Sequence, residues 1–147
     1  MVNVFDVTIY ILNKMGPISA MKLQKLVYYC QAWSLVWDDD DRLFEEKIEA
    51  WTSGPVVRVL YERHRGKFLV TAKDFIKFQS GNELSKSQKE TVDLIIKAYG
   101  QKSSQWLSDQ THSEKPWQDA RIGLEDVDRG ESEINLDSMS EYYSSLC

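Results

Sequence analysis

At 147 residues, with 42% hydrophobic residues and five tryptophans, the chain is expected to form a single domain over 1–147 with a core of its own, which excludes a disordered protein. Its net charge of -5 is concentrated in residues 109–147, and this acidic end favours a basic protein partner, or simply a solvated surface, over nucleic acid. The chain has no run of ~18 apolar residues that could span a membrane and no signal-peptide pattern, so we expect a cytoplasmic protein.

The beginning of the chain predicts two helices separated by a short break. Residues 3–15 carry an apolar face at helical spacing, and Asn3 is suited to cap them. Gly16-Pro17 then interrupts the pattern, because proline cannot donate a backbone hydrogen bond and disfavours the α conformation of the preceding residue. Residues 19–37 follow, capped by Ser19, and their polar strip is narrow. We predict that this second helix is central and buried on several sides.

The middle of the chain predicts a small β element. Four consecutive aspartates, residues 38–41, disfavour continuation of the central helix, since they lie at the negative end of its dipole. Residues 47–52 alternate in polarity as a strand does, and residues 68–70 are predicted to pair with them. Pro55 suits the first position of a helix, which we predict over 55–65.

The second half of the chain predicts mainly helices and loops. The predicted elements are irregular or briefly helical chain over 74–82, a helix from a capping box at Ser87 and Glu90 to Tyr99, a helix to His112 capped by Ser103 or Ser104, a short helix from about Pro116 to Arg121, a loop over 122–136, and a last helix opened by a capping box at Ser138 and Glu141. The predicted fold class is therefore mainly α (α+β), a compact helical domain around a central buried helix with a small two-stranded β element.

The sequence contains no catalytic or metal-binding motif that we recognise. Its two histidines and two cysteines lack the spacing of metal ligands, so we expect neither a metal nor a cofactor. Cys30 lies on the apolar stripe of the central helix, which favours a packing role over a nucleophile paired with His112. Cys147 is expected to be an exposed thiol in a reducing compartment. For His112, a hydrogen-bonded structural role comes first and contact with a partner second. We predict that the protein is not an enzyme.

Two further features are compatible with binding. Residues 58–77 interleave basic side chains with Phe68 and Phe75, and Phe78 follows directly; this is typical either of an amphipathic surface with buried aromatics or of an interface for an acidic protein or a nucleic acid. Five tryptophans exceed the usual needs of a core, and tryptophan is enriched at binding hot spots. We interpret Trp33 and Trp37 as core residues. The other three lie near turns and helix ends, where a groove could form: Trp51, Trp106 and Trp117.

Several blocks of residues occur together in one characteristic order. They are SxMKLQKLVYYCQAW at 19–33, IEAWxxGPVV at 48–57, LY at 60–61, HRG at 64–66, AYG at 98–100, LS at 107–108, THSExPW at 111–117, AR at 120–121, and Ile134 with EYY at 141–143. These blocks resemble the Panacea domain of the SocA-like antitoxin family, many of whose members are called phage-associated proteins. The resemblance implies a mostly helical antitoxin that neutralises a protein toxin, encoded next to it, by direct binding.

The resemblance carries over no catalytic residue and leaves alternatives open. In one branch of the family the domain is thought to deliver its toxin to a protease, so a proteolytic adaptor with a cellular protease as second partner is the first alternative. An uncharacterised enzyme using Cys30 or His112 is the next. Some members carry an N-terminal DNA-binding region; we expect none here, because the chain begins almost at the first helix of the domain.

We place the toxin-binding surface on residues near the predicted strand and the later turn. They are Trp51, Gly54, Pro55, Val56, Tyr61, His112 and Trp117. Most of these residues recur in the family, and so do Lys22, Gln24 and Lys25. A structural role explains this recurrence equally well.

Overall fold

A computed structural model describes residues 1–38, 41–125 and 129–147. The described residues form seven α-helices and four short strands, which confirms the mainly α (α+β) class. The helices are α1 (Val4–Met15), α2 (Ala20–Trp37), α3 (Arg58–His64), α4 (Lys86–Tyr99), α5 (Ser104–His112), α6 (Lys115–Ala120) and α7 (Leu136–Ser144). The strands are β1 (Ile18–Ser19), β2 (Ile48–Trp51), β3 (Gly54–Val57) and β4 (Leu69–Val70), and two 3-10 turns cover Ala72–Asp74 and Ile76–Phe78. None of the described helices combines the length and apolar character that a membrane span requires.

The central helix α2 organises the core, as predicted. It packs against α1, α4, α5, α7 and β3, so its side chains are buried in nearly every direction. The Ser19 side chain accepts a hydrogen bond from the backbone N–H of Lys22 and caps the helix. The prediction that Trp37 belongs to the core is wrong, because it is the last residue of α2 and 45% exposed, with its ring on that of Trp33. Asp38 is the C-cap, as expected, whereas Asp39 and Asp40 lie outside the described residues.

The β structure of the described residues differs from the prediction. β2 and β3 form an antiparallel hairpin in which Ile48 pairs with Val57 and Trp51 with Gly54. β4 pairs with β1 instead, over the register Ile18 to Val70. The predicted pairing of 68–70 with 47–52 is therefore wrong. The predicted helix over 55–65 is wrong in its first turn, since the β-branched residues after Pro55 are fully engaged in the hairpin and α3 begins at Arg58.

Two predicted helix starts shift towards the N-terminus. Ser85, rather than Ser87, caps α4 in a capping box with Gln88, and Asn135, rather than Ser138, caps α7. Each actual cap directly follows a buried apolar residue, Leu84 or Ile134. An apolar residue before the cap anchors the chain against the core and sets where the helix begins. The cap of α5 by Ser103 and the early proline of α6 agree with the prediction.

The region predicted as a loop over 122–136 is partly extended chain that covers the outer edge of the hairpin. The backbone N–H of Ala50 donates to Ser132 O at 2.8 Å, and that of Ile134 donates to Ile48 O at 2.8 Å. Covering an edge strand in this way satisfies backbone groups that would otherwise face solvent. Residues 126–128 of this region lie outside the described residues.

Gln31 provides a test of how α2 anchors the chain that follows it. Its buried amide accepts from the backbone N–H of Leu43 at 2.7 Å and donates to Phe44 O at 2.8 Å. Gln31→Leu leaves these backbone groups buried without partners, so we expect it to lower the free energy of unfolding by about 2–4 kcal/mol in a denaturant titration. The matched change at an exposed position, Gln101→Leu, is expected to change it by less than about 0.5 kcal/mol. Equal effects of the two changes would contradict this account.

Candidate functional site

The seven residues predicted to bind a partner lie together around the β2–β3 hairpin. The indole N–H of Trp117 donates to Trp51 O at 2.8 Å, and the His112 ring stacks on Trp117 with centroids 4.1 Å apart. The Tyr61 ring meets Trp51 edge-to-face at 4.8 Å. The other three predicted residues, Gly54, Pro55 and Val56, form β3 itself.

These residues differ in what they present to solvent. The three residues of β3 are buried, and so is Trp51, whose ring lies 3.7 Å from the guanidinium carbon of Arg129. Tyr61, His112 and Trp117 are half-buried and form the accessible part of the group. We call these three residues the aromatic face. Their role in partner binding stays a prediction, and the buried members of the set position the hairpin that supports them.

Lys25 is the residue of this region that the sequence interpretation left without a role. Its side chain has no exposed surface, and within the described residues its Nζ donates a single hydrogen bond, to Pro55 O at 3.4 Å. Gly54 lies directly against it: a Cβ at that position would come within 2.6 Å of Lys25 Cε, and the φ of 122° already disfavours any other residue. The glycine of the GPVV block therefore makes room for the buried lysine.

The electrostatics of Lys25 follow from its burial. Among the described residues no carboxylate forms an ion pair with it. Loss of hydration disfavours the charged ammonium and lowers the pKa of Lys25 from 10.5 to about 8. The pKa values of His64 and His112 are also lowered, first by burial and further by the nearby positive charge of Lys25.

Gln24 connects the same turn of α2 to β3 and α3. Its Oε1 accepts from the backbone N–H of Val57 at 2.9 Å, so its Nε2 is the donor to Val57 O at 3.2 Å. The same Nε2 lies 3.0 Å from His64 Nε2, which must then accept. His64 is therefore held as a neutral imidazole with its proton on Nδ1.

A cleft of about 210 Å³ opens over this region, between α2, the hairpin and α3. We call it the Lys25 cleft. Its walls include Met21, Trp51 and Tyr61, and its polar lining includes Lys25, His64 and Lys67. None of the described residues that line it is Asp or Glu. The cleft is thus locally positive in a chain of net charge -5.

A second buried polar network joins α2 to the C-terminal helices. Glu114 Oε1 accepts from the hydroxyls of Tyr29 and Tyr143, each at 2.8 Å, and Tyr143 also bonds to the Tyr28 hydroxyl at 2.9 Å. Because Tyr143 donates to the carboxylate, Tyr28 must donate to Tyr143. Burial raises the pKa of Glu114, and its hydrogen bonds offset part of that shift. This network explains the glutamate of the THSExPW block as a structural anchor for α7.

The surroundings of Cys30 and of the basic segment test the roles that the sequence suggests for them. Cys30 is buried in the core, which raises the pKa of its thiol and keeps it protonated, in agreement with a packing role. The described residues contain no group of three or more His, Cys, Asp or Glu that could hold a metal ion. In the basic segment 58–77, Phe75 is buried as expected, whereas Phe68 is 79% exposed, so the interpretation of buried aromatics is wrong there.

Comparison with known families agrees with this geometry. Residues 23–118 match the family model described as Antitoxin SocA-like, Panacea domain, and this stretch contains the hairpin, the aromatic face and most of the lining of the Lys25 cleft. The chain therefore belongs to the SocA-like Panacea domain family, and the predicted resemblance is confirmed. An antitoxin family implies a protein toxin as partner. No curated protein and no solved structure matches the chain.

The buried amine predicts a characteristic dependence of stability on pH. The folded pKa of Lys25, about 8, lies below its unfolded value of 10.5. Stability present above the unfolded pKa is then lost as the pH falls through the folded pKa. Relative to Lys25→Met, the free energy of unfolding of the native chain is expected to drop by about 3 kcal/mol between pH 11 and pH 7. Denaturant titrations across this range measure it. Lys97→Met, at an exposed position of α4, should show no such drop. A difference between Lys25→Met and the native chain that does not change with pH would refute it.

The buried carboxyl of Glu114 predicts a change of stability between acidic and neutral pH. Its folded pKa is raised above the unfolded value, so the stability it contributes is present at low pH and lost as the pH rises through the folded pKa. The native chain is therefore expected to lose stability relative to Glu114→Gln as the pH rises from 4 to 8, in thermal melts. Glu90→Gln, at an exposed carboxylate of α4, serves as the control. Identical pH profiles for all three chains would exclude a raised pKa.

Proposed function

We propose that this protein is an antitoxin that neutralises a cognate protein toxin by binding it directly, without catalysing a reaction. The observation that carries the proposal is the match to the antitoxin family over residues 23–118, a stretch that includes all seven residues predicted to bind a partner. The toxin is expected to be encoded next to the antitoxin and to meet it in the cytoplasm.

The aromatic face and the Lys25 cleft are the proposed contact surface. Aromatic side chains supply large contact area at low entropic cost and dominate many protein interfaces. Tyr61 belongs to both features, since it lines the cleft and packs on Trp51. Its partial exposure leaves it available to the toxin, while the hairpin beneath it is fixed by the core.

The charge distribution supports a defined orientation of the toxin. The cleft is lined by cationic residues, whereas the C-terminal segment carries exposed carboxylates such as Glu131 and Glu141. A partner with complementary charge on both sides is steered into one orientation, because electrostatic complementarity acts on the encounter and on register. A basic toxin that presents a local acidic group would satisfy both surfaces.

Co-expression with each genomic neighbour tests the proposal. A neighbour that is toxic alone, tolerated with this protein and recovered with it in one chromatographic peak is expected. Tyr61→Ala and His112→Ala should weaken the complex about 10- to 100-fold, since both remove exposed aromatic contact. Trp37→Ala removes an exposed aromatic residue at the C-terminal end of α2, outside the aromatic face and the cleft lining, and should leave binding unchanged.

Two outcomes would contradict direct neutralisation. If folded Tyr61→Ala and His112→Ala variants bind the toxin as the native chain does, the aromatic face is not the interface. If rescue occurs without a stable complex and the toxin disappears only when a cellular protease is present, the protein is an adaptor that delivers the toxin for degradation.

A further inference from the structure

Lys25 has fewer hydrogen-bond partners within the described residues than Arg121, which is also a deeply buried cation. Arg121 is 8% exposed, and its guanidinium donates to the carbonyls of Ala50, Arg129 and Glu125 at 2.8–3.1 Å. Lys25 has three N–H groups and no exposed surface, and it makes one long hydrogen bond to the part of the chain that the structure describes, to Pro55 O. A buried ammonium is stabilised by a paired carboxylate, and the described residues supply none to Lys25.

Two other cations in or near the cleft form ion pairs of their own. Lys67 forms an ion pair with Asp74 at 2.6 Å. Arg58 lies 2.9 Å from Glu131 and 3.9 Å from Glu49. With these charges compensated, Lys25 and Arg65 are the lysine and arginine residues of the lining that form no ion pair within the described part of the chain. A nucleic-acid interface needs several free cations spread over a surface, so this arrangement favours a single anionic group.

The cleft also offers hydrogen bonds to such a group. Ser53 and Tyr61 line it, and the hydroxyl of neither residue makes a hydrogen bond within the described residues. The indole N–H of Trp51 is already taken by Glu49, at 2.8 Å. A carboxylate accepts up to about four hydrogen bonds, which suits a lining whose residues carry an ammonium and two hydroxyl groups.

The size and rim of the cleft identify a protein as the source of the carboxylate. Its volume of about 210 Å³ is below the ~300–1,000 Å³ of sites for small-molecule ligands, but it accommodates one side chain. Large apolar side chains are exposed beside it: Met21 on its wall is 45% exposed, and Phe68, which follows Lys67, is 79% exposed. An apolar rim around a polar floor is typical of a protein–protein contact.

We propose that the Lys25 cleft receives an aspartate or glutamate side chain of the toxin, and that the Lys25 amine, which is covered in the free chain, turns into the cleft to pair with it. This inference rests on the proposed function, because it takes the toxin as the partner. The lysine is then unpaired in the free antitoxin and neutralised only in the complex. Burial of the unpaired ammonium lowers the stability of the free protein, and pairing with a carboxylate in the complex offsets this cost. The pair therefore contributes to specificity for the toxin.

The first experiment measures the amine in the isolated full-length chain. Acetate is the probe, titrated at constant ionic strength against chloride, while NMR follows the Nζ of Lys25 in protein labelled with ¹⁵N-lysine. A saturable shift of Lys25 Nζ that inorganic phosphate does not reproduce is expected. No shift with acetate, or an equal shift with phosphate, would overturn the assignment to a carboxylate.

The second experiment uses the complex with the toxin found by co-expression. Lys25→Met keeps the length of the side chain and removes its charge, and it should weaken the complex about 10-fold or more. Lys97→Met on α4 is the matched control and should bind as the native chain does. Glu→Gln and Asp→Asn changes in the toxin should include one that is equally weakening alone and adds nothing to Lys25→Met.

The outcomes separate the inference from the proposed function. A folded Lys25→Met variant that binds the toxin as tightly as the native chain overturns the inference and leaves antitoxin function intact. Coupling of Lys25 to the C-terminal carboxylate of the toxin, instead of to a side chain, also overturns it as stated. If no neighbour is toxic or rescued, the proposed function fails, whatever the acetate titration shows.

Discussion

Side chains that satisfy its backbone hold the β2–β3 hairpin against the helices. A two-stranded hairpin is marginally stable by itself, and here its carbonyls are met from three different helices or their ends. Gln24 of α2 bonds both backbone groups of Val57, Ser108 of α5 donates to Ser53 O at 2.7 Å, and Trp117 of α6 donates to Trp51 O. The positions of the aromatic face and of the cleft depend on these contacts, since both are built on the hairpin.

This arrangement gives the domain a platform whose polar contacts are directional. Hydrophobic packing alone fixes where the hairpin lies less sharply than a bidentate amide does, because burial is non-directional. Aromatic contacts also hold the side chains nearer the surface in place: His112 stacks on Trp117, and Tyr61 packs on Trp51. A rigid surface loses little entropy on binding, which favours affinity for a single partner.

The local elements of the fold could be predicted from the sequence, and the non-local ones could not. α1 and α2 are marked by Asn3, the Gly16-Pro17 break and a long apolar pattern, all within a few residues of the element concerned. The sequence does not identify β3 as a strand, because proline before two valines is compatible with a helix start as well as with a strand. Only pairing with β2 and the amide of Gln24 decide between them. The pairing of β4 with β1 joins segments about 50 residues apart, which no local pattern reveals.

In the candidate site, too, the features that depend on tertiary packing could not be predicted from the sequence, and Lys25 is the clearest example. In the sequence it is one of several polar residues on a helix, where a solvated lysine is the ordinary expectation. Tertiary packing makes it unusual, because Gly54 brings backbone against its side chain and no described carboxylate pairs with it. The signal available beforehand was the narrowness of the polar strip on α2, which leaves little room for a lysine to reach water. A buried, incompletely satisfied cation lowers the stability of the free chain, and such local conflicts with folding are expected where a protein meets its partner. On this reasoning, Lys25 fits the requirements of the fold least well, and the proposed interaction with a toxin explains its presence best.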